Sequence, residues 1–443
     1  MEHARRRVFL LYLDLAGVLR GVERPYVNGA KEYSALFDAS SVYGFEEIER
    51  SDLKLVLPAN RLKSLSWSQE VSAGIASIHY TSGERYVKDP RLVAEKAEDF
   101  VESLRYIAYI GVEYEFFLFR GLNVEIGYTK QVLEISAPET SSSRYLLPPK
   151  RGYQVVEPVD EIRRVRRRII EAIESIGYRV VKSHHEVASS GQVEVAITHR
   201  EIVESCDAAV WVKLASKNVA EKEGFTAVFL PKPLVGDNGS GMHIHVSLWR
   251  GGVNLFVDTS DEYGVSQLAR YFIGGLIEHG RSLSAIVSPT VNSYRRLILG
   301  YEAPTVLAWG VGNRSVSIRI PDIREERVFR IEYRPPDPMA NPYLAIPAMV
   351  LAGIDGIKKK IEPPLPLNKN AYHYSEKELR ELGYRRLPRS LDEALDELEA
   401  DHEYLKPVYS RELLESYIEV KRREARELQA IPSPAEYYYY MYW

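Results

Sequence analysis

A chain of 443 residues, 45% hydrophobic and 27% charged with a formal net charge of −4, has enough apolar material for a sizeable core. That balance gives no basic excess for nucleic acid, and no uninterrupted apolar run is long enough to span a bilayer, so neither partner is expected. The single cysteine, Cys206, excludes an internal disulfide and a multi-cysteine zinc site, and with no cleavage site after the short apolar run that ends at Asp14, a cytoplasmic setting is expected.

Residues 7–14, 54–58 and 71–80 are rich in strand-forming residues, so the first ninety positions read as a small sheet-rich unit. Asp89-Pro90 starts a helix predicted over Arg91–Ile107, with a domain boundary near 90–100. The strand Gly111–Phe119 puts Glu113 and Glu115 on one face. Paired carboxylates repel, and either solvent or a divalent cation must compensate them. An amphipathic helix over 160–177 ends at Gly177, and its run Arg163–Arg168 reads as a solvated face because acidic residues flank it at helical spacing. Glu186, Gln192 and Glu194 then stand among strand formers, and a helix over about 200–223 stops at Gly224. In Gly236–Leu248 a glycine-rich turn runs into a strand with His243, His245 and Ser247 on one face and Met242, Ile244, Val246 and Leu248 on the other. Strands are also predicted over Arg314–Pro321 and Arg330–Arg334, the latter with Glu332 and Arg334 on one face. Several strands thus offer carboxylates, imidazole and guanidinium to one side, which suits a channel with a metal-binding half and a phosphate-binding half. Carboxylates with imidazole and no thiolate favour Mg²⁺ or Mn²⁺ over zinc. Helices are expected over Pro342–Lys360 and 391–430, and the aromatic tail Tyr437–Trp443 is expected to dock on a partner subunit.

The ordered motifs resemble those of the type I glutamine synthetase family over nearly the whole chain. Gly236–Leu248 is similar to that family's NGSGMHxH-S-L segment, Gly111–Phe119 to its strand ending EFFLF, and Val291–Leu297 with Gly300–Pro304 to NSYKRL…GYEAP. Asn313–Ser315 with Ile318–Pro321 matches NRS…IRIP, and Pro231–Gly236 and Asp337–Tyr343 match as well. The resemblance implies an α+β fold. An N-terminal β-grasp domain (1–95) would precede a catalytic domain (96–443) with an antiparallel barrel-like sheet, helices and a C-terminal helical segment. It also implies two stacked hexameric rings, with active sites between neighbouring subunits and the C-terminal segment reaching into the opposite ring.

Carried over by position, the resemblance implies one metal held by Glu115, Glu186 and Glu194 and another by Glu113, His243 and Glu332. Asn238, Gly239, Arg296 and Arg334 would hold L-glutamate, while His245, Ser247, Arg314 and Arg319 would face the phosphates of ATP. Glu302 matches the flap glutamate that shields the acyl phosphate and takes a proton from ammonium, and Asp38 matches the aspartate that binds ammonium from the neighbouring subunit. The implied activity is ATP-dependent ligation of ammonia to glutamate with two or more Mg²⁺ or Mn²⁺ per site. A ligase for a larger amine and a non-catalytic member of the fold are the alternatives. The sequence departs from the family at Ala39 (a glycine in the family's DGSS), at Val181, at Leu299, and in Glu186–Glu194, which is one residue longer. Tyr372 stands near the tyrosine that some relatives adenylylate, but its context Ala371-Tyr-His-Tyr-Ser lacks their leucine-proline-proline run, so that modification is not expected.

Overall fold

The computed structural model describes residues 6–323 and 325–436; the aromatic tail lies outside them. Seven strands open the chain: β1 (Arg7–Leu13), β2 (Leu19–Pro25), β3 (Glu32–Asp38), β4 (Asp52–Pro58), β5 (Lys63–Leu65), β6 (Ser68–Ile75) and β7 (Ser77–Tyr80). They form a four-stranded sheet in the order β2-β1-β6-β5 and a three-stranded sheet β3-β4-β7. The apolar run 71–80 is therefore two strands in two sheets, because alternation carries through the junction at Ala76 while the hydrogen-bonding partner changes.

Helix α1 (Pro90–Ser103) begins as predicted, with the Asp89 side chain accepting from the Arg91 N–H and proline in the first turn. It ends before Ile107 because Arg105 turns left-handed (φ 61°), which releases the chain into the next strand. There follow β8 (Ile107–Phe119), β9 (Gly121–Ile126), β10 (Gln131–Ser136), α2 (Pro138–Ser141), α3 (Arg163–Ser175), β11 (Val180–His185), β12 (Gln192–Ile197), α4 (Ile202–Lys222), β13 (Thr226–Val228), β14 (Met242–Arg250) and β15 (Val253–Asn254). Then come α5 (Gln267–Glu278), α6 (Gly280–Val287), α7 (Val291–Arg296), β16 (Val306–Leu307), β17 (Trp309–Val311), β18 (Ile318–Ile320) and β19 (Ile331–Tyr333). The chain closes with α8 (Pro342–Lys359), α9 (Glu376–Glu381), β20 (Arg385–Arg386), α10 (Leu391–Ala400) and α11 (Arg411–Gln429).

The nine-stranded sheet that positions the site runs β11-β12-β8-β14-β19-β18-β17, with β13 added to β8 and β15 to β14. Its neighbours are antiparallel except β17 with β18, and the path is open, with no closed barrel among the described residues. Helix α8 is buried along nearly its whole length, as a helix apolar all round must be, and packs against α1, α4, α5 and α6. Phe116, Leu118, Val193, Val195, Ile244 and Val246 join one continuous core, each burial giving about 1.5–3 kcal/mol.

Two further expectations change. The alternating stretch Arg314–Pro321 is strand only over Ile318–Ile320, since the Asn313 side chain caps Ser315 (2.6 Å to its hydroxyl) and folds residues 313–315 into a turn. The amphipathic stretch 391–430 is two helices, separated by the segment around Pro407.

Candidate active site

Strand register builds the site. Glu113 on β8 stands opposite His243 on β14, and Glu332 on β19 stands opposite His245 on β14 and Arg319 on β18. The ligand atoms of Glu113, His243 and Glu332 lie within 4.8 Å of one another, with His243 Nδ1 3.7 Å from Glu113 and 3.9 Å from Glu332. On the next strands, Glu194 of β12 stands opposite His184 of β11 on one side and Glu115 of β8 on the other. A second cluster meeting the same 4.8 Å limit joins His184, Glu186 and Glu194. The Glu113, His243 and Glu332 cluster falls on the face that the two-residue period predicted, and His243, His245 and Ser247 are buried like the apolar face behind them.

His184 was not singled out from the sequence. Its Nδ1 donates to the His185 carbonyl (3.0 Å), and its Nε2 lies 3.1 Å from the Glu194 carboxylate, which also accepts from Lys182 Nζ (3.0 Å). A backbone carbonyl on the far ring nitrogen is the usual way a metal-binding imidazole is oriented. His185 points the other way into a fully buried pair with Glu139 (3.1 Å), and its Nδ1 holds the Glu186 carbonyl (2.7 Å). Glu115 is steered by the Gly241 N–H (2.7 Å) and lies 3.9 Å from His243. A side chain at Gly241 would come within 2.6 Å of the His243 ring and 2.7 Å of the Arg296 guanidinium, so glycine there leaves room for both.

The extra residue between Glu186 and Glu194 is absorbed in the turn. Gly191 takes a positive φ (77°), the Ala188 N–H donates to the Gln192 side chain (3.1 Å), and the Ser189 N–H donates to Asp237 (2.9 Å). Gln192 then donates to the Gly239 carbonyl (3.0 Å), tying this turn to the glycine-rich stretch. Ala39 is also accommodated. It is fully buried in a short 3₁₀ turn capped by Asp38, with no positive φ.

Crowded carboxylates split in charge preference. Burial, then Glu115 and Glu194, push Glu186 up to about 9, and burial raises Glu115 as well. Glu332 goes the other way: burial opposes ionisation, but Arg334, His245, His243 and Arg319 hold its carboxyl well below the usual range. Glu113 is likewise held low, by His245 and His243 against desolvation. A metal at the Glu186 cluster must displace a proton below pH 9, so its affinity is expected to rise by up to roughly tenfold per pH unit from pH 7 and to level off above 9. Isothermal titration with Mn²⁺ in buffers of different ionisation enthalpy reads both the affinity and the proton released; a pH-independent affinity without proton release would contradict this.

A cavity of about 950 Å³ is lined by Glu115, Glu186, Glu194, His243, Glu302, Arg314 and Arg334, together with Lys150, Tyr153 and Tyr372. A second, of about 360 Å³, is lined by Glu113, His245, Ser247, Arg330 and the rings of Tyr109, His199 and Trp249. The Glu113, His243 and Glu332 cluster therefore stands between the two chambers, His243 lining the larger and Glu113 the smaller, whereas Glu186 and Glu194 line the larger one alone. Arg330 Nε donates to His245 Nδ1 (3.2 Å), which turns the other ring nitrogen toward Glu113 (3.2 Å). Tyr109 meets His199 and Trp249 edge-on, with centroids 5.5 and 5.9 Å apart. This aromatic lining was missed because its members come from three separate strands and loops.

Other expected residues divide by position. Arg334 and Arg319 each donate to Glu332 at 2.6 Å, whereas Arg314 stands exposed in the turn at the mouth of the large cavity. Arg296, Asn238 and Gly239 sit behind the cavity wall. Arg296 is buried and donates to the carbonyls of Arg334 (3.1 Å), Pro335 (2.8 Å) and Pro336 (3.3 Å), which fixes the backbone that carries Arg334. Asp38 lines neither cavity; it lies at the exposed end of β3.

Comparison with known proteins agrees with this architecture. Residues 87–440 match the family model described as glutamine synthetase, catalytic domain. The glutamine synthetase of Sulfolobus acidocaldarius is 42% identical over 98% of this chain and 95% of its own length, and that of Thermotoga maritima is 37% identical over 100% and 97%. The solved structure of Plasmodium falciparum glutamine synthetase superposes with a TM-score of 0.88 at 26% identity, covering 99% of this chain and 96% of that one. The chain belongs to the glutamine synthetase family.

Proposed function

We propose that this protein joins ammonia to the γ-carboxylate of L-glutamate at the expense of ATP, through γ-glutamyl phosphate, to give L-glutamine, ADP and phosphate. The observation that carries this reading is the cluster of Glu113, His243 and Glu332 between an arginine-lined chamber and an aromatic-lined one, with the Glu186 and Glu194 carboxylates on the arginine-lined side. A carboxylate is a poor acyl donor until one oxygen becomes a leaving group, so glutamate and the transferring phosphate must meet at such a partition. We assign ATP to the smaller chamber, its phosphates toward His245 and Ser247, and glutamate to the larger one, held by Arg334 with Asn238, Gly239 and Arg296 behind it.

The donor sets fit divalent cations: carboxylates with one imidazole each, no thiolate, and an imidazole nitrogen of His184 aimed at a carboxylate. Glu113, His243 and Glu332 would hold one ion, and Glu115, Glu186 and Glu194, with His184 beside them, another. Such ions, Mg²⁺ or Mn²⁺, supply charge neutralisation to the transferring phosphoryl group. The rest is work for the chain's own groups. Arg334, Arg319 and Arg314 add fixed positive charge near that group, and loss of one such donor costs on the order of 10²–10³ in rate. Glu302, at the chamber mouth, takes the proton from ammonium and covers the acyl phosphate. Asp38, whose carboxylate is held low by the Ser40 and Ser41 side chains and the Ser40 N–H, offers a fixed anion for ammonium.

Because Asp38 is exposed and away from both chambers, we place it in the site of a neighbouring subunit. Residues 1–95 would then be a β-grasp domain facing the catalytic domain (96–443) of the next subunit, with two hexameric rings stacked. The exposed β9–β10 hairpin supports association: Leu122, Val124 and Ile126 share one face, and Val124 pairs with Leu133. Val124→Lys with Leu133→Lys is expected to lower the mass seen by light scattering, and an unchanged mass would remove the hairpin from the interface. The function itself is tested by phosphate release dependent on ATP, glutamate and ammonium.

A further inference from the structure

The mechanism asks Glu302 to sit over the acyl phosphate, yet Glu302 is an exposed loop residue in a left-handed conformation (φ 57°) that a non-glycine residue adopts only when its surroundings hold it there. Three contacts hold the loop. Tyr301, immediately before it, lies between two ammonium groups, with Lys150 Nζ 4.1 Å and Lys232 Nζ 3.6 Å from the ring centroid. Lys150 Nζ also donates to the Gly300 carbonyl (3.1 Å). On the far side, the Tyr372 hydroxyl donates to the Ala303 carbonyl (3.0 Å). Burial pushes that hydroxyl up to about 12, so it remains a donor at any working pH.

The two lysines are themselves anchored on one residue. Asp237 is buried; its carboxylate accepts from the Lys150 N–H (3.3 Å) and the Ser189 N–H (2.9 Å), and its carbonyl accepts from Lys232 Nζ. The same residue therefore ties the turn that carries Glu186 to the clamp on Tyr301. A second tyrosine and two lysines converging on a four-residue loop have no role in building the core, since Lys150, Glu302 and Tyr372 line the cavity and Tyr301 is only half-buried.

We propose that Tyr301, clamped between Lys150 and Lys232, and Tyr372, bonded to Ala303, are positioning residues that latch the Glu302 loop closed and so keep water from the acyl phosphate. This rests on the reading of Glu302 given above. A loosened latch lets water attack γ-glutamyl phosphate, returning glutamate and phosphate, so ATP is consumed without glutamine being formed. Cation–π contact needs only the ring, so Tyr301→Phe keeps the clamp while Tyr301→Leu removes it. Tyr372→Phe removes only the hydrogen bond.

The test measures phosphate released and glutamine formed by the full-length protein with ATP, glutamate and ammonium. A ratio near one is expected for the parent and for Tyr301→Phe. Tyr301→Leu and Tyr372→Phe are expected to raise the ratio severalfold and to lower the glutamine turnover number roughly tenfold, with Mn²⁺ affinity unchanged. A merely structural role would lower both rates together and leave the ratio at one. The latch is overturned if the ratio stays at one in both Tyr301→Leu and Tyr372→Phe, or if Tyr301→Phe uncouples as Tyr301→Leu does. A parent enzyme with no phosphate release would instead overturn the ligase reading itself.

Discussion

Replacing Glu332 by alanine is expected to abolish measurable synthesis, a fall of at least about 10³, and to lower the unfolding free energy by about 3–5 kcal/mol. Its carboxylate is almost fully buried, accepts from Arg319 and Arg334 at 2.6 Å each, and lies 3.9 Å from His243. Removing it takes from the Arg319 and Arg334 guanidinium groups the carboxylate they both donate to, and breaking a buried ion pair by removing one partner is what makes the substitution costly. It also removes a ligand from the cluster with Glu113 and His243. Glu332→Gln keeps the shape and one acceptor oxygen, so it should recover part of the stability and none of the metal affinity. Because the folded carboxyl is held well below the ordinary range, its stabilising effect is fully present above the unfolded value and is lost only as pH falls through the depressed one. The stability gap between parent and Glu332→Ala is therefore expected to be flat from pH 6 to 9. Chemical denaturation across that range checks it, and a gap that grows or closes steeply there would contradict the assignment.

Glu302→Ala should separate chemistry from binding. A positioned base contributes about 10²–10⁴, and synthesis with ammonium is expected to fall within that range, while Mn²⁺ affinity stays at the parent value because Glu302 belongs to neither ligand cluster. Backbone strain gives a second handle. Glycine at 302 removes the cost of a left-handed non-glycine residue, so Glu302→Gly should be as inactive as the alanine variant yet slightly more stable than it. Steady-state kinetics with metal titration and thermal unfolding read all three quantities; unchanged synthesis in Glu302→Ala would remove it from the chemistry.

The candidate site was legible where the polypeptide imposes a strict period. Alternation in β8 and β14 put Glu113, Glu115, His243 and His245 on one face, and register then fixed which of them meet. The long buried helices were readable for the same reason, as α4 and α8 keep within two residues of their predicted ends. Where side-chain capping overrides periodicity, the reading failed: Arg314 alternates like a strand residue, but Asn313 draws it into a turn at the cavity mouth. Contacts between distant segments were out of reach altogether. His184 gains its place only because a bulge at Val181 resets the pairing of β11 so that it faces Glu194, and no spacing rule relates Tyr372 to Ala303 or Asp237 to Lys150. The bonds from Arg296 to the Arg334 and Pro335 carbonyls are likewise beyond any spacing rule.

The proposed reaction brings ATP and glutamate together across the Glu113, His243 and Glu332 cluster so that ammonia displaces phosphate. Its most direct measurement follows phosphate and glutamine together in the presence of Mg²⁺ or Mn²⁺, ATP and glutamate, first with ammonium and then with a panel of larger amines. One phosphate per glutamine with ammonium, and a far lower rate with every other amine, is the predicted result. Negligible turnover with ammonium beside rapid turnover with another amine, or no phosphate release with any acceptor, would contradict it.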